Sequence, residues 1–174
     1  MNTLLVVLAL VAALVVLGGL WLVATANRLD RLHVRTDAGW AALDAALARR
    51  AVVARTIAGG VSGASLDGAL VERLRVAAER AEAAPRAERE LAENELTRLL
   101  AEVDRSALPP VLAAELTDAE HRVVIARRVH NDAVRDTLEL RGRRHVRYFK
   151  LAGTAGRPEY FEIAEPELTP GSPP

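Results

Sequence analysis

The chain has 174 residues, 23 basic and 23 acidic side chains, a formal net charge of zero and no cysteine. The absence of cysteine excludes disulfides, thiolate metal sites and a cysteine nucleophile, and neutrality removes any global pull toward nucleic acid. Aromatic residues make up 3% of the chain, too few for a rich β-sandwich core but compatible with a helical bundle packed from Leu, Val and Ala.

The N-terminal segment sets the location. From Thr3 to Ala24 no side chain is charged. About 22 helical residues at roughly 1.5 Å each reach about 33 Å, enough to cross a hydrocarbon core. A helix is the natural spanning form because it satisfies its own backbone in lipid. Trp21 lies near the end of the run, where an indole prefers the interface. A cleaved signal peptide ending at Ala24-Thr25-Ala26 is the competing reading. The missing Lys or Arg before the run, its length and the helical sequence that follows argue against cleavage. Arg28, Arg31 and Arg35 follow the span and no basic side chain precedes it. The positive-inside rule then predicts a single-pass cell-membrane protein with its N-terminus outside and the remainder in the cytoplasm.

Beyond the anchor, Leu29, His33, Thr36, Trp40, Leu43, Leu47, Arg50, Ala54 and Ile57 recur at alternating threes and fours, one face of a helix. Only Gly39 interrupts between Trp21 and Arg55, so anchor and first soluble helix are expected to form one rod of about 55 residues. Gly59-Gly60 and Gly63 end it. Ser65 is expected to cap a second helix running to Ala84, with Leu66, Leu70 and Leu74 inward. After Pro85 a third helix, Arg86 to Arg105, places Ala92, Leu96, Leu99 and Val103 on one stripe, while Glu82, Arg86 and Glu90 alternate on the solvent side.

Pro109-Pro110 opens the fourth helix. Leu112, Leu116, Ala119, Val123, Ala126, His130, Ala133, Thr137 and Leu140 step by four and three without a miss. Sustained 4-3 spacing means helices packed nearly parallel or antiparallel, and Ala119, Ala126 and Ala133, one heptad apart, let a neighbour approach closely. Gly142 is the expected stop. The expected fold is all-α: a transmembrane helix (1–26) continuing into the long helix of an antiparallel bundle of about four helices (27–163), then a disordered tail (164–174).

The expected core contains Trp40, Leu43, Leu47, Leu96, Leu99, Val123 and Ala126. Arg50, Glu93, Glu120, His130 and Asn131 are the candidates for buried polar residues. Arg50 lies on the apolar stripe, where it either snorkels outward or pairs with a carboxylate such as Glu93 or Glu120. His130 reads as a hydrogen-bonded core residue rather than a ligand, because no other histidine lies three or four positions away. No catalytic, cofactor-binding or metal-binding residue is expected.

Arg89-Glu90-Leu91-Ala92-Glu93 matches the Arg-Glu-aliphatic-x-Glu core of a Nudix box, whose carboxylates bind a divalent metal beside a diphosphate. The rest of that box fails: its leading Gly falls on Arg75, its first Glu on Ala81, a later Glu on Asn94 and its closing Gly on Leu96. A Nudix-like metal-dependent diphosphate hydrolase is therefore the alternative and not the expectation. From Arg141 to Lys150 there are five basic side chains and no acid. A solvated loop is the preferred reading there; contact of Arg143, Arg144, Arg147 and Lys150 with anionic headgroups is the other.

Asn27-Arg28-Leu29, Gly39-Trp40-Ala41-Ala42-Leu43-Asp44 and Leu47-Ala48-Arg49-Arg50 resemble the first long helix of the LemA family. Ala92-Glu93-Asn94-Glu95-Leu96-Thr97-Arg98-Leu99-Leu100, Ala126-Arg127-Arg128-Val129-His130-Asn131-Asp132-Ala133-Val134 and the final Glu159-Tyr160-Phe161-Glu162 are similar to later motifs of the same family. The resemblance covers residues 27 to 163. It departs at His130-Asn131, where the family has Tyr-Asn, at Asp136-Thr137, where a second Asn is replaced, and at Leu108-Pro109-Pro110, where Tyr-Pro is common. The resemblance implies a membrane-anchored cytoplasmic bundle with no established catalytic residues. The functional expectation is a non-enzymatic interaction or scaffold module, with the membrane and a protein partner or a second copy as its contacts, and no nucleic acid or small-molecule substrate.

Overall fold

The computed structural model describes residues 2–60 and 67–164. Its elements are α1 (Asn2–Ala58), α2 (Gly68–Ala83), α3 (Arg86–Ala101), a 3-10 turn (Arg105–Ala107), α4 (Pro110–Gly142) and the short α5 (Arg144–Tyr148). No strand occurs among the described residues. The expected stop at Gly63, the cap at Ser65, inward Leu66 and the tail from residue 165 onward lie outside the described residues.

α1 is one helix of 57 residues, the single rod expected of the apolar run and the 4-3 stripe that follows it. It stops where Gly59 N–H donates to the Arg55 carbonyl at 2.7 Å and Gly60 takes a φ of 71°, a left-handed conformation that glycine adopts without a Cβ penalty. α3 ends at Ala101, short of the expected Arg105. The cause is local: the Asp104 carboxylate accepts from Ser106 N–H and starts a separate 3-10 turn. α4 opens on Pro110, a first-turn position where the missing N–H costs nothing.

The chain forms two compact units. The first comprises Met1–Ala38 and Asp132–Glu159, the second Gly39–Asn131 and Tyr160–Pro174. These limits do not follow the expected division at residue 26, because α1 and α4 each supply residues to both units.

In the first unit α1 and α4 run antiparallel: Arg35 pairs with Asp136 at 3.2 Å and His33 Nε2 lies 3.0 Å from Arg141 Nη1. Leu29, Leu140 and Val146 form the core, with Leu32, Leu151 and Ala152 packed on it. The buried hydroxyls of Thr36 and Thr137 meet at 3.0 Å. Thr36 also donates to the Leu32 carbonyl at 3.0 Å and Thr137 to the Ala133 carbonyl at 2.8 Å. Neither hydroxyl is stranded, which is the condition for burying one. The apolar run of α1 has no such cover: Leu4 is 70% exposed, Leu14 69% and Leu20 63%.

The second unit holds the larger core. Ala54 and Ile57 of α1, Leu74, Ala78 and Ala81 of α2, Leu96 and Leu99 of α3, and Leu112, Leu116 and Ala119 of α4 are buried together. α2 and α3 are antiparallel, with Arg73 paired to Glu102 at 3.1 Å. α1 and α3 are parallel: Asp44 meets Arg89 at 3.1 Å and Arg50 meets Glu93 at 2.7 Å. A smaller cluster joins Leu43, Leu47, Val123, Phe161 and Ile163. Leu43, Leu47, Leu96, Leu99 and Val123 are buried as expected. Trp40 and Ala126 are only partly buried, packed at the edge of the small cluster. A Cβ on Gly39 would stand 3.2 Å from His130 Cα, so this glycine lets α4 approach α1 at that level.

Candidate functional site

Three polar or aromatic constellations stand out: a buried charge node and a docked C-terminal segment in the second unit, and a basic turn in the first.

The node centres on Glu93. Its Oε2 accepts from Arg50 Nη2 at 2.7 Å and its Oε1 from Arg89 Nε at 3.1 Å. Neither the Arg50 nor the Glu93 side chain retains exposed surface. Arg50 Nη1 donates to Thr97 Oγ1 at 3.1 Å, and the Thr97 hydroxyl donates to the Glu93 carbonyl at 2.8 Å. Arg89 also reaches Asp44 and donates to the carbonyls of Glu82 and Ala84 at 3.4 and 3.3 Å, groups left open at the end of α2. Of the two expected fates of Arg50, the ion pair is the one present, and its partner is Glu93. Glu120 serves elsewhere: both its oxygens accept from Arg105 Nη2, at 2.9 and 2.7 Å.

The node also bears on the Nudix-like fragment. A carboxylate held by two guanidinium groups without solvent access is not available to a divalent cation. Glu90, the other acid of the fragment, accepts from Glu162 N–H at 2.7 Å. Among the described residues no three metal-ligating side chains gather.

The C-terminal segment 160–164 lies extended and is read mainly through its backbone. Asn131 forms two bonds with Phe161, its Oδ1 accepting from Phe161 N–H at 2.9 Å and its Nδ2 donating to the Phe161 carbonyl at 3.1 Å. Asn94 Oδ1 accepts from Ala164 N–H at 2.8 Å. Phe161 and Ile163 point inward and are buried, the alternation of an extended chain. The Phe161 ring meets Trp40 edge-on at 5.6 Å, Trp40 meets the buried His130 ring at 5.7 Å, and the Arg86 guanidinium lies 4.0 Å from the Trp40 ring centre. Trp40 is thus a ring shared by three partners at the margin of the core, which explains its partial exposure. Asn131, expected to be buried, is half-exposed because its amide serves this peripheral segment.

In the first unit, the segment expected as a loop folds into α5. Val146 is buried with Leu29 and Leu140. Arg143, Arg144, Arg147 and Lys150 are exposed. The His145 ring packs against Trp21, centroids 4.5 Å apart and the planes tilted by 52°, so α5 is fixed beside the end of the apolar run.

Glu90 and Asn94 have roles that periodicity did not reveal. Both lie on the solvent side of their helix by spacing, and only the return of residues 160–164 gives them work. An open cleft of about 620 Å³ is lined by Arg80, Pro85, Glu88, Leu91, Asn94 and Arg98 among others; its charges are of mixed sign. No family model, no curated protein and no solved structure matches this chain.

Proposed function

We propose that this chain is a single-pass membrane protein in which the N-terminal half of α1 crosses the bilayer and a LemA-like antiparallel bundle in the cytoplasm acts as a non-enzymatic interaction or scaffold module. The observation that carries the reading is the uncharged stretch Thr3–Ala24. It lies in the one helix among the described residues that is long and apolar enough to span a membrane, and none of its apolar window is buried by the protein. Exposed leucines in water would be costly, at roughly 25 cal/mol per Å² of apolar surface, and lipid is the solvent that removes the cost. The arginines after the span support the cytoplasmic side. The second unit spends its notable polar groups internally, on the Glu93 node and on its own C-terminal segment, which supports a structural role rather than a reacting one.

The chain's lack of cysteine makes orientation directly measurable. Asn2→Cys and Arg122→Cys variants of the full chain are treated on intact cells with a membrane-impermeant maleimide. Labelling at position 2 alone, with position 122 reacting only after permeabilisation, is the expected result. Labelling at position 122 in intact cells would overturn the topology. Recovery of the protein in the soluble fraction, or a mature chain starting near Asn27, would overturn the anchor.

A further inference from the structure

We infer that α5 and its flanks form a collar that binds anionic lipid headgroups around α1. The inference rests on the reading that α1 spans the bilayer, and goes beyond it by naming the surface and its ligand. The tilted Trp21–His145 ring contact and the burial of Val146 with Leu29 hold α5 at the level where the apolar run gives way to charge. At that level Arg143, Arg144, Arg147 and Lys150 are exposed, beside Tyr148, 82% exposed, and Phe149, 51% exposed. A pair of aromatic rings flanked by cations suits the boundary between headgroup and acyl chain.

Charge distribution points the same way. Although the chain is neutral, the first unit carries ten basic and six acidic side chains, and the second thirteen and seventeen. The basic excess therefore sits in the unit that contains the apolar run. Not every cation there is available: Arg141 is committed to His33 and to the carbonyls of Ala155 and Gly156, and Arg35 to Asp136. Arg143 shares an exposed contact with Glu139 at 3.4 Å, a weak pair in water. Among the described residues no acidic side chain forms an ion pair with Arg144, Arg147 or Lys150. An anionic phosphate or carboxylate headgroup supplies the opposite charge, each basic side chain near the surface strengthening binding roughly fivefold.

The test uses the full chain with a single fluorophore on Tyr148→Cys, reconstituted in bilayers holding a trace of spin-labelled phosphatidylserine or of spin-labelled phosphatidylcholine. The expected result is stronger quenching by the serine lipid. That excess should vanish when salt rises from about 0.1 to about 1 M, which shortens the screening length from about 10 to about 3 Å. An Arg143/Arg144/Arg147 triple Ala variant should lose the excess and the triple Lys variant should keep it. Equal quenching by the two lipids, or an excess that survives in the triple Ala variant, would overturn the collar. A probe on Leu14→Cys separates the two readings. Quenching there by acyl-chain nitroxides with no lipid preference at position 148 leaves the anchor standing and removes the collar; no quenching at position 14 removes both.

Discussion

Arg50 Nη2 and Glu93 Oε2 meet at 2.7 Å with both side chains fully buried. Such a pair adds little net stability over an apolar replacement, but removing one partner leaves an unpaired buried charge and costs about 3–5 kcal/mol. Glu93→Ala, which strands Arg50 and weakens Arg89, should lower the melting temperature of the full chain in detergent by on the order of 10 °C. Arg50→Leu/Glu93→Leu should melt closer to wild type than either single variant, because Arg89 keeps Asp44 and two carbonyls. A double variant as damaged as the sum of the singles would mean the two residues do not act as a pair.

Asp104 gives a pH signature. The Ser106 hydroxyl and then the Ser106 amide hold its carboxyl below the ordinary 3.8, burial opposing them weakly. A carboxyl lowered in the folded state stabilises the fold above its ordinary value, and that contribution is lost as pH falls through the lowered value. Ser106→Ala should move the Asp104 titration upward toward 3.8, followed by the side-chain carboxyl carbon shift. The turn between α3 and α4 should then loosen at a higher pH than in wild type. An unchanged titration would show that Ser106 does not set this carboxyl.

Trp40 is a ring at the margin of the small cluster, and its loss should be intermediate in cost. A fully buried aromatic truncated to Ala costs roughly 3–5 kcal/mol, and about 2–3 kcal/mol is expected for Trp40→Ala. Hydrogen exchange should quicken first at the Phe161 amide, because the ring that Phe161 packs against is gone. Leu43→Ala should instead destabilise the unit without that selectivity. Equal exchange effects from the two variants would contradict the assignment of Trp40 to the docked segment.

The helices were legible because their cues are local. Every residue of the α1 stripe from Leu29 to Ile57 is buried or half-buried, since 4-3 spacing and helical geometry are the same constraint. Punctuation by Gly59-Gly60, Pro85 and Pro110 marks the ends for an equally local reason. The Arg50 pairing was half legible: its place on the stripe demanded a partner, but two acids were available and only the parallel alignment of α1 with α3 selects Glu93. The docking of residues 160–164 was not legible. It depends on a chain returning over a long separation to amides and acids that periodicity assigns to solvent, and a short extended segment without strand partners carries little pattern of its own. Gly39 was visible as an interruption in a helix, a sign of close backbone approach, but the element approaching it could not be read from spacing.

Asn131 and Phe161 make the remaining prediction. The Asn131 side-chain amide donates to and accepts from one peptide unit, as a neighbouring strand would, and no other residue type offers that pairing at that reach except a repositioned Gln. Each bond contributes about 1 kcal/mol net, and the segment also buries Phe161 and Ile163. Asn131→Ala should therefore not unfold the bundle. It should lower stability by about 1–2 kcal/mol and release the backbone bonds while the two apolar side chains hold more loosely. Asn131→Asp provides the sharper comparison: it keeps the acceptor for Phe161 N–H but loses the donor to the Phe161 carbonyl, and it adds a negative charge near Glu162. Amide exchange at Phe161, Glu162 and Ala164 should accelerate in the order wild type, Asn131→Asp, Asn131→Ala, with the amides of Leu96 and Leu99 unaffected. Acceleration spread evenly over the segment and the helical core would show instead that Asn131 supports the whole unit and that the segment is not separately held.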